Sequence, residues 1–235
     1  MCAQKASASD QPAAQPRRAA RSAPAPADAA SASDTRLRVI EAALSCILER
    51  GFYRASTNAI AERAGLTWGV IQYYFGTREA LMMAVLEEAS RRLTETLSSA
   101  EITGEDLTRR VERFYDILAG YYGSPDYLAF IQVQVNLAHD PRTSEQARQT
   151  LIEISERANP ELRRLMAKVI GTKRRGKRPE NIANLLFHAL RGVSMSHVML
   201  GTIPEYADKP PGDFPAERKL LARAMSLLIE QELGS

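Results

Sequence analysis

The sequence predicts an all-α protein. Apolar residues recur at three- and four-residue spacing in segment after segment, the signature of a buried helix face. Glycines and prolines fall where those segments end, at Gly51, Gly65, Gly76 and Pro160. At 235 residues the chain suits one or two domains and is ample for a buried core. The composition divides it into a disordered tail over 1–33, a small three-helix unit over 34–80 and a larger helical unit over 81–235.

The tail is Ala, Ser, Pro and Gln with Arg17, Arg18 and Arg21 interspersed. It cannot bury enough apolar surface to offset its ordering entropy. Its arginines suit either an inert solvated segment or an arm along a DNA minor groove. Asp34 or Thr35 is placed to cap a first helix running to about Arg50. Its buried face would be Leu37, Ile40, Ala43, Leu44 and Ile47, with Cys46 as a small core residue. Gly51 stops this helix, and Phe52 and Tyr53 are expected to pack the corner.

Two short helices and a tight turn follow. Ile60, Ala61 and Ala64 mark one face of a helix that Ser56 or Thr57 caps and Gly65 ends. Thr67 is placed to cap a second helix to about Tyr74, and Gly76-Thr77 separates it from a long helix opening at Arg78. Helix, glycine turn and helix of these lengths is the helix-turn-helix arrangement, whose second helix enters the DNA major groove.

Ala42-Ala43-Leu44, Arg50-Gly51, Thr57, Ile60-Ala61, Ala64-Gly65, Gly69, Phe75 and Leu81 stand in one register. In these residues the chain resembles the DNA-binding domain of the tetracycline-repressor (TetR) family of bacterial transcription factors. The resemblance implies an N-terminal three-helix helix-turn-helix domain plus a C-terminal helical ligand-binding and dimerisation domain. It also implies a regulator of transcription that binds a palindromic operator as a homodimer and is released by a small apolar or amphipathic effector. Some positions depart from the family pattern. Gln72 stands where a phosphate-contacting Tyr is usual, Tyr74 where His is, Arg78 where Lys is, and Ile47 where Phe is. An amide at Gln72 can pair bidentately with adenine instead of holding a phosphate.

With Ile71 turned to the core, Gly69, Gln72 and Tyr73 point outward and Val70 sits at the edge. Trp68 fits either burial against the domain or insertion at the DNA. The expected DNA-binding set is Thr57, Asn58, Thr67, Trp68, Gly69, Val70, Gln72, Tyr73, Tyr74 and Arg78; Thr57 and Asn58 enter it by the resemblance. Charge alone does not announce this role. The net charge is +3, and residues 34–81 hold six Arg against five Asp or Glu.

The helix from Arg78 to about Leu97 presents Leu81, Val85, Ala89 and Leu93 on one face; in the family it links reader to regulatory domain. Helices are then expected from Glu105 to Tyr122, from Pro125 to Ala138, and from Thr143 to Ile170 with a break at Asn159-Pro160. Residues 173–179 read as a charged loop. Asn181 to Gly201 is apolar nearly all round, with Leu185, Ala189, Gly192, Ser196 and Leu200 on one stripe. After a Pro-rich loop, Glu217 to Leu233 carries Leu220, Leu221, Ala224, Leu227 and Leu228. In the family the last two long helices of each subunit form the dimer interface. The expected interface here is the Leu185 stripe with Leu220, Ala224, Leu227 and Leu228.

An effector pocket is expected among Phe114, Leu118, Tyr121, Tyr122, Phe130, Gln134 and His188, which mix apolar bodies with polar tips. Each also fits plain core, and no motif identifies the effector. No apolar stretch is long enough to span a membrane and the start has no secretory h-region, so a cytoplasmic site is expected. Cys2 and Cys46 form no framework, and His188 and His197, nine apart on one helix, project to opposite faces. No cofactor, metal site or catalytic residue is expected. A regulator without an effector and an all-α enzyme are the rival readings.

Overall fold

Single residues set the helix boundaries. The computed structural model describes residues 26–171, 177–201 and 214–233, with backbone alone at 26–30, 197, 198, 200 and 201. α1 (Pro26–Arg50) is followed by α2 (Thr57–Ala64), which begins under Ser56, whose Oγ accepts the Ala59 N–H at 3.2 Å. It ends at Gly65, which takes the left-handed conformation (φ 64°, ψ 35°) that side chains disfavour. α3 (Trp68–Phe75) and α4 (Arg78–Ser99) come next, the latter capped by Thr77 Oγ1 on the Ala80 N–H at 3.0 Å. Asp106 caps α5 (Leu107–Tyr122), Ser124 caps α6 (Pro125–His139) and Ser144 caps α7 (Glu145–Glu156). Such caps contribute about 1 kcal/mol each. α8 (Asn159–Ile170) takes Pro160 in its first turn, where no N–H is needed, so the expected break is real. α9 (Lys177–Gly201) and α10 (Pro215–Leu233) complete an architecture with no strand among the described residues.

Several expectations are corrected. The first helix starts at Pro26, not at Asp34, and so crosses the expected boundary at residue 33; Thr35 Oγ1 donates to the Ser31 carbonyl inside the helix instead of capping it. Helix propensity in this alanine-rich sequence extends the helix, and no residue from Ser31 to Arg38 is fully buried. Leu37 is exposed, one turn before α1 meets the core at Val39 and Ile40. Tyr53 is also exposed (72%); Phe52 alone fills the corner, with the Tyr53 ring edge-on at 5.3 Å. Lys177 to Pro179 belong to α9 and not to a loop. The remaining expectations for residues 1–25, 173–176 and 202–213 lie outside the described residues, as do the side chains of His197, Val198 and Leu200.

The packing forms two apolar cores with α4 as a wall of both. The first joins α1, α2, Ile71 of α3 and Leu81 to Leu86 of α4 to Ala129, Val133 and Leu137 of α6 and Leu151 and Ile154 of α7. The second gathers Leu97, Phe114, Tyr115 and Leu118 with Leu165, Val169, Leu186, Leu190, Met225 and Ile229. The helix-turn-helix unit therefore shares its core with α6 and α7. Phe130 packs against both cores. Each large apolar side chain so buried stabilises by about 1.5–3 kcal/mol.

A charged cluster reinforces this wall. Arg92 donates to Glu88 at 2.8 Å and to Asp126 of α6 at 2.9 Å, and also to Glu41 of α1. Arg91 donates to Glu88 at 2.7 Å. The Arg91 hydrogen bond, followed by that from Arg92, pulls the Glu88 carboxyl from its ordinary 4.5 to about 2. A depressed carboxylate adds stability that is complete above 4.5 and is lost as pH falls towards 2. Glu88→Gln should cost about 1–2 kcal/mol at neutral pH, the solvent around Arg91 holding the figure down. Denaturant titrations against pH should show the variant and the parent converging in acid; a constant gap across that range would refute the assignment.

Candidate nucleic-acid interface and ligand cavity

The outer face of α3 is built by the burial of its inner one. Ile71 is fully buried, Trp68 and Phe75 pack partly against the same core, and Gly69, Gln72 and Tyr73 are left facing solvent. Tyr73 is 69% exposed and meets Tyr74 edge-on at 5.2 Å. Val70 and Tyr74 are half-buried at the rim, and Trp68 takes the burial alternative. Thr57 and Asn58 lie in the first turn of α2, with Asn58 exposed. Thr67 holds the N-cap position of α3, yet its side chain makes no cap hydrogen bond. An exposed amino terminus without a side-chain cap keeps amides directed outward, an arrangement suited to a phosphate.

Basic groups here are more engaged than the sequence suggests. Arg63 is paired with Glu49. Arg78 turns inward: its Nη2 donates to the Phe52 carbonyl at 2.6 Å and its Cζ lies 4.4 Å from the Phe52 ring centre. Burial lowers its pKa from the usual arginine value. In this conformation Arg78, placed in the expected DNA-binding set, rivets the start of α4 to the corner after α1.

A cavity of about 240 Å³ lies among the larger helices. Of the expected pocket residues, Tyr121, Tyr122, Phe130, Gln134 and His188 line it. Phe114 and Leu118 do not; both are fully buried in the second core, because the inner face of α5 points there and its Tyr121-Tyr122 end points to the cavity. Sequence reasoning missed Tyr127, Ser155, Leu162, Phe187 and Arg191. Tyr127 and Arg191, 64 residues apart, meet here: Arg191 Nε donates to the Tyr127 hydroxyl at 2.8 Å. No local spacing could have joined them. Burial raises the pKa values of Tyr121, Tyr122 and Tyr127, so all three stay neutral phenols. Gln134 Nε2 donates to Ser155 Oγ at 2.7 Å on the α7 side. A wider groove of about 580 Å³ between α8 and α9 shares Asn159, Leu162, Phe187 and His188 with this cavity.

The terminal helices present a different surface. On α9, Leu186, Leu190 and Ser194 face inward, while Leu185 (47%), Gly192 and Ser196 are exposed and Ala189 is half-buried. On α10 the core face is Ala222, Met225, Ser226 and Ile229, so the expected apolar face is turned out: Leu220 (68%), Ala224 and Leu227 (67%) are exposed and Leu228 is half-buried. Among the described residues no group of His, Cys, Asp or Glu is arranged to hold a metal, and no helix is long and apolar enough to cross a membrane.

The Arg78 contacts yield a direct test. Arg78→Ala should destabilise the protein by about 1–3 kcal/mol, through the lost carbonyl bond and ring contact. Arg78→Lys should recover little, since an ammonium cannot lie flat on Phe52 while reaching its carbonyl. An unchanged unfolding midpoint for Arg78→Ala would return the residue to a purely external role.

Residues 39–85 match the family model for bacterial regulatory proteins, tetR family. The chain is 23% identical over 115 residues to the HTH-type transcriptional repressor AcnR of Corynebacterium efficiens, a match covering 49% of this chain and 55% of that protein. It spans about half the length of the curated relatives it matches. Its fold matches a putative TetR-family transcriptional regulator of Vibrio parahaemolyticus, with a TM-score of 0.60 at 20% identity over 82% of this chain and 97% of that one. It also matches the regulator FadR of Bacillus subtilis in complex with stearoyl-CoA, with a TM-score of 0.53 at 19% identity over 82% and 96%. The family model thus sits on α1 to α4, and over most of its length the chain shares the fold of solved regulators: it is similar to the tetR family of bacterial regulatory proteins in residues 39–85.

Proposed function

We propose that the protein is a transcriptional repressor that binds a palindromic operator as a homodimer in the cytoplasm and is released by a small molecule held in the α4–α9 cavity. The observation that carries this reading is the shared core. The outward face of α3 stands on the same apolar cluster as α6 and α7, which also wall the cavity. Phe130 lines the cavity and packs on both cores, so a ligand that displaces it must disturb the packing beneath α3. The Arg92 links to Asp126, Glu88 and Glu41 run beside that route, from the first turn of α6 to α1. The FadR relative holding stearoyl-CoA supports an effector site in this frame. A regulator without an effector is disfavoured by a cavity of this size.

In the proposed reading Gln72 and Tyr73 contact base edges, and the amino termini of α2 and α3 receive phosphates. Two copies are needed because half-sites lie about one DNA turn apart. The exposed apolar residues Leu185, Leu220 and Leu227 support the outer face of α9 and α10 for the pairing. Full reversal of operator occupancy from 99:1 requires the effector to favour the released state by about 5.5 kcal/mol.

Binding to DNA from around the protein's own gene, compared with random DNA at about 150 mM salt, tests the reading, since electrostatic non-specific binding is weak there. Gln72→Ala and Tyr73→Ala should each lower specific affinity about tenfold or more and leave random-sequence binding nearly unchanged. Equal losses on both DNAs would overturn their assignment to base reading. If no palindrome is preferred even after selection from random sequences, the operator reading fails. Leu220→Asp combined with Leu227→Asp should yield monomers in sedimentation and abolish operator binding; a persistent dimer would place the interface elsewhere.

A further inference from the structure

We propose that the cavity is built for a small aromatic carboxylate, its ring held among the tyrosines and its carboxylate on Arg191. This deepens the effector reading and rests on it for its regulatory meaning. Aromatic rings dominate the wall: Tyr122 and Tyr127 meet at 4.7 Å between ring centres, Tyr121 and Tyr127 at 5.2 Å, and Tyr122 and Phe187 at 6.0 Å. Phe130 lies nearly parallel to Tyr127, at 6.4 Å and 12°. Rings packed edge-on and offset favour a flat aromatic guest, which continues the same pattern. The volume agrees. A cavity of about 150 Å³ in another protein takes up benzene, and the 240 Å³ here leaves room for a ring with a short acidic chain.

Charge sets the sign of the guest. Among the described residues, Arg191 is the only lining side chain of this cavity with a permanent charge, and no carboxylate lines it. Among the described residues no Asp or Glu oxygen lies within ion-pair distance of its guanidinium; the nearby Asp126 is paired with Arg92 at 2.9 Å. Arg191 is half-buried, and Nε alone is spent, on the Tyr127 hydroxyl. Because that hydroxyl accepts from Arg191, its own proton remains to be donated, and no acceptor for it lies among the described residues. A guanidinium fork beside a phenol O–H is a three-donor cradle that fits the two oxygens of a carboxylate. An amine would meet the same guanidinium as repulsion, and a neutral guest would forgo its charge-assisted bonds.

Isothermal titration of the full-length protein, without DNA, with four probes tests this: 3-phenylpropanoate, 3-phenylpropanamide, 3-phenylpropylamine and octanoate. The aromatic acid should bind about tenfold or more tighter than its amide, and the amine should not bind measurably. Octanoate should be weaker than the aromatic acid, since it fills the volume without matching the rings. In Arg191→Gln, with its fold checked by circular dichroism, the acid should lose its advantage while the amide binds as before. The wild-type comparison stands even if that variant misfolds. Binding of the amine at the acid's affinity, octanoate tighter than the aromatic acid, an Arg191→Gln preference unchanged, or no binding of any probe at millimolar concentration would each overturn the proposal. Operator release is measured separately. If the acid binds but leaves the operator complex intact, the ligand class stands and its effector role fails; if the operator is bound but no probe binds, the ligand class alone fails.

Discussion

The structure depends on α4 having to satisfy two cores at once. Its first half buries Leu81 to Leu86 against α1, α6 and α7; its far end buries Leu97 against α5 and the terminal helices. A helix of 22 residues is about 33 Å long and stiff over that length. Close-packed interiors do not deform smoothly, so movement at one end must be accepted by the other or resisted by both. The coupling that the proposed function requires between the α3 face and the cavity would then need no special pathway, since one rod is part of both interiors.

The charged contacts fix the register of that rod more than they add stability. At its start, Glu79 takes the Ser144 N–H at 3.0 Å and the Ser144 hydroxyl at 2.7 Å, fastening the first turn of α4 to the cap of α7. Four turns later Arg92 reaches α1 and α6 together. Both sites are partly exposed, where each pair contributes little on its own. Their geometry is more informative: with α4 tied to α6 and α7, these helices cannot slide along α4 independently. Asp126 precedes Tyr127, so a change at the cavity wall lies one residue from the Arg92 cluster.

Local chemistry was legible in the sequence, and long-range encounters were not. The cap at Ser56, the stops at Gly65 and Gly76, the break at Pro160 and the outward set of Gly69, Gln72 and Tyr73 all depend on neighbours within a few residues. The start of α1 was misplaced because an alanine-rich stretch carries helix propensity without an apolar pattern to reveal it. The pocket was half read for a related reason. Tyr121 and Tyr122 declare themselves as aromatics on a helix, whereas the pairing of Tyr127 with Arg191 exists only once α6 meets α9. On α10, only the resemblance assigns Leu220, Ala224, Leu227 and Leu228 to an interface; the amphipathic period does not say which face the chain itself covers. An exposed apolar stripe and a buried one have the same period.

The engagement of Arg63 and Arg78 bears on how the proposed operator would be held. With the first paired to Glu49 and the second turned to Phe52, the proposed operator's backbone would rest more on the amide dipoles and hydroxyls of α2 and α3. Dipoles hold phosphates without adding net positive charge, so few counterions are released per contact and affinity falls gently with salt. In the proposed reading, discrimination between sequences would rest on the exposed Gln72 and Tyr73, whose hydrogen bonds would depend on base identity. In the proposed dimer the spacing between two copies would then be decisive, because two linked weak half-site contacts hold together only where both are within reach.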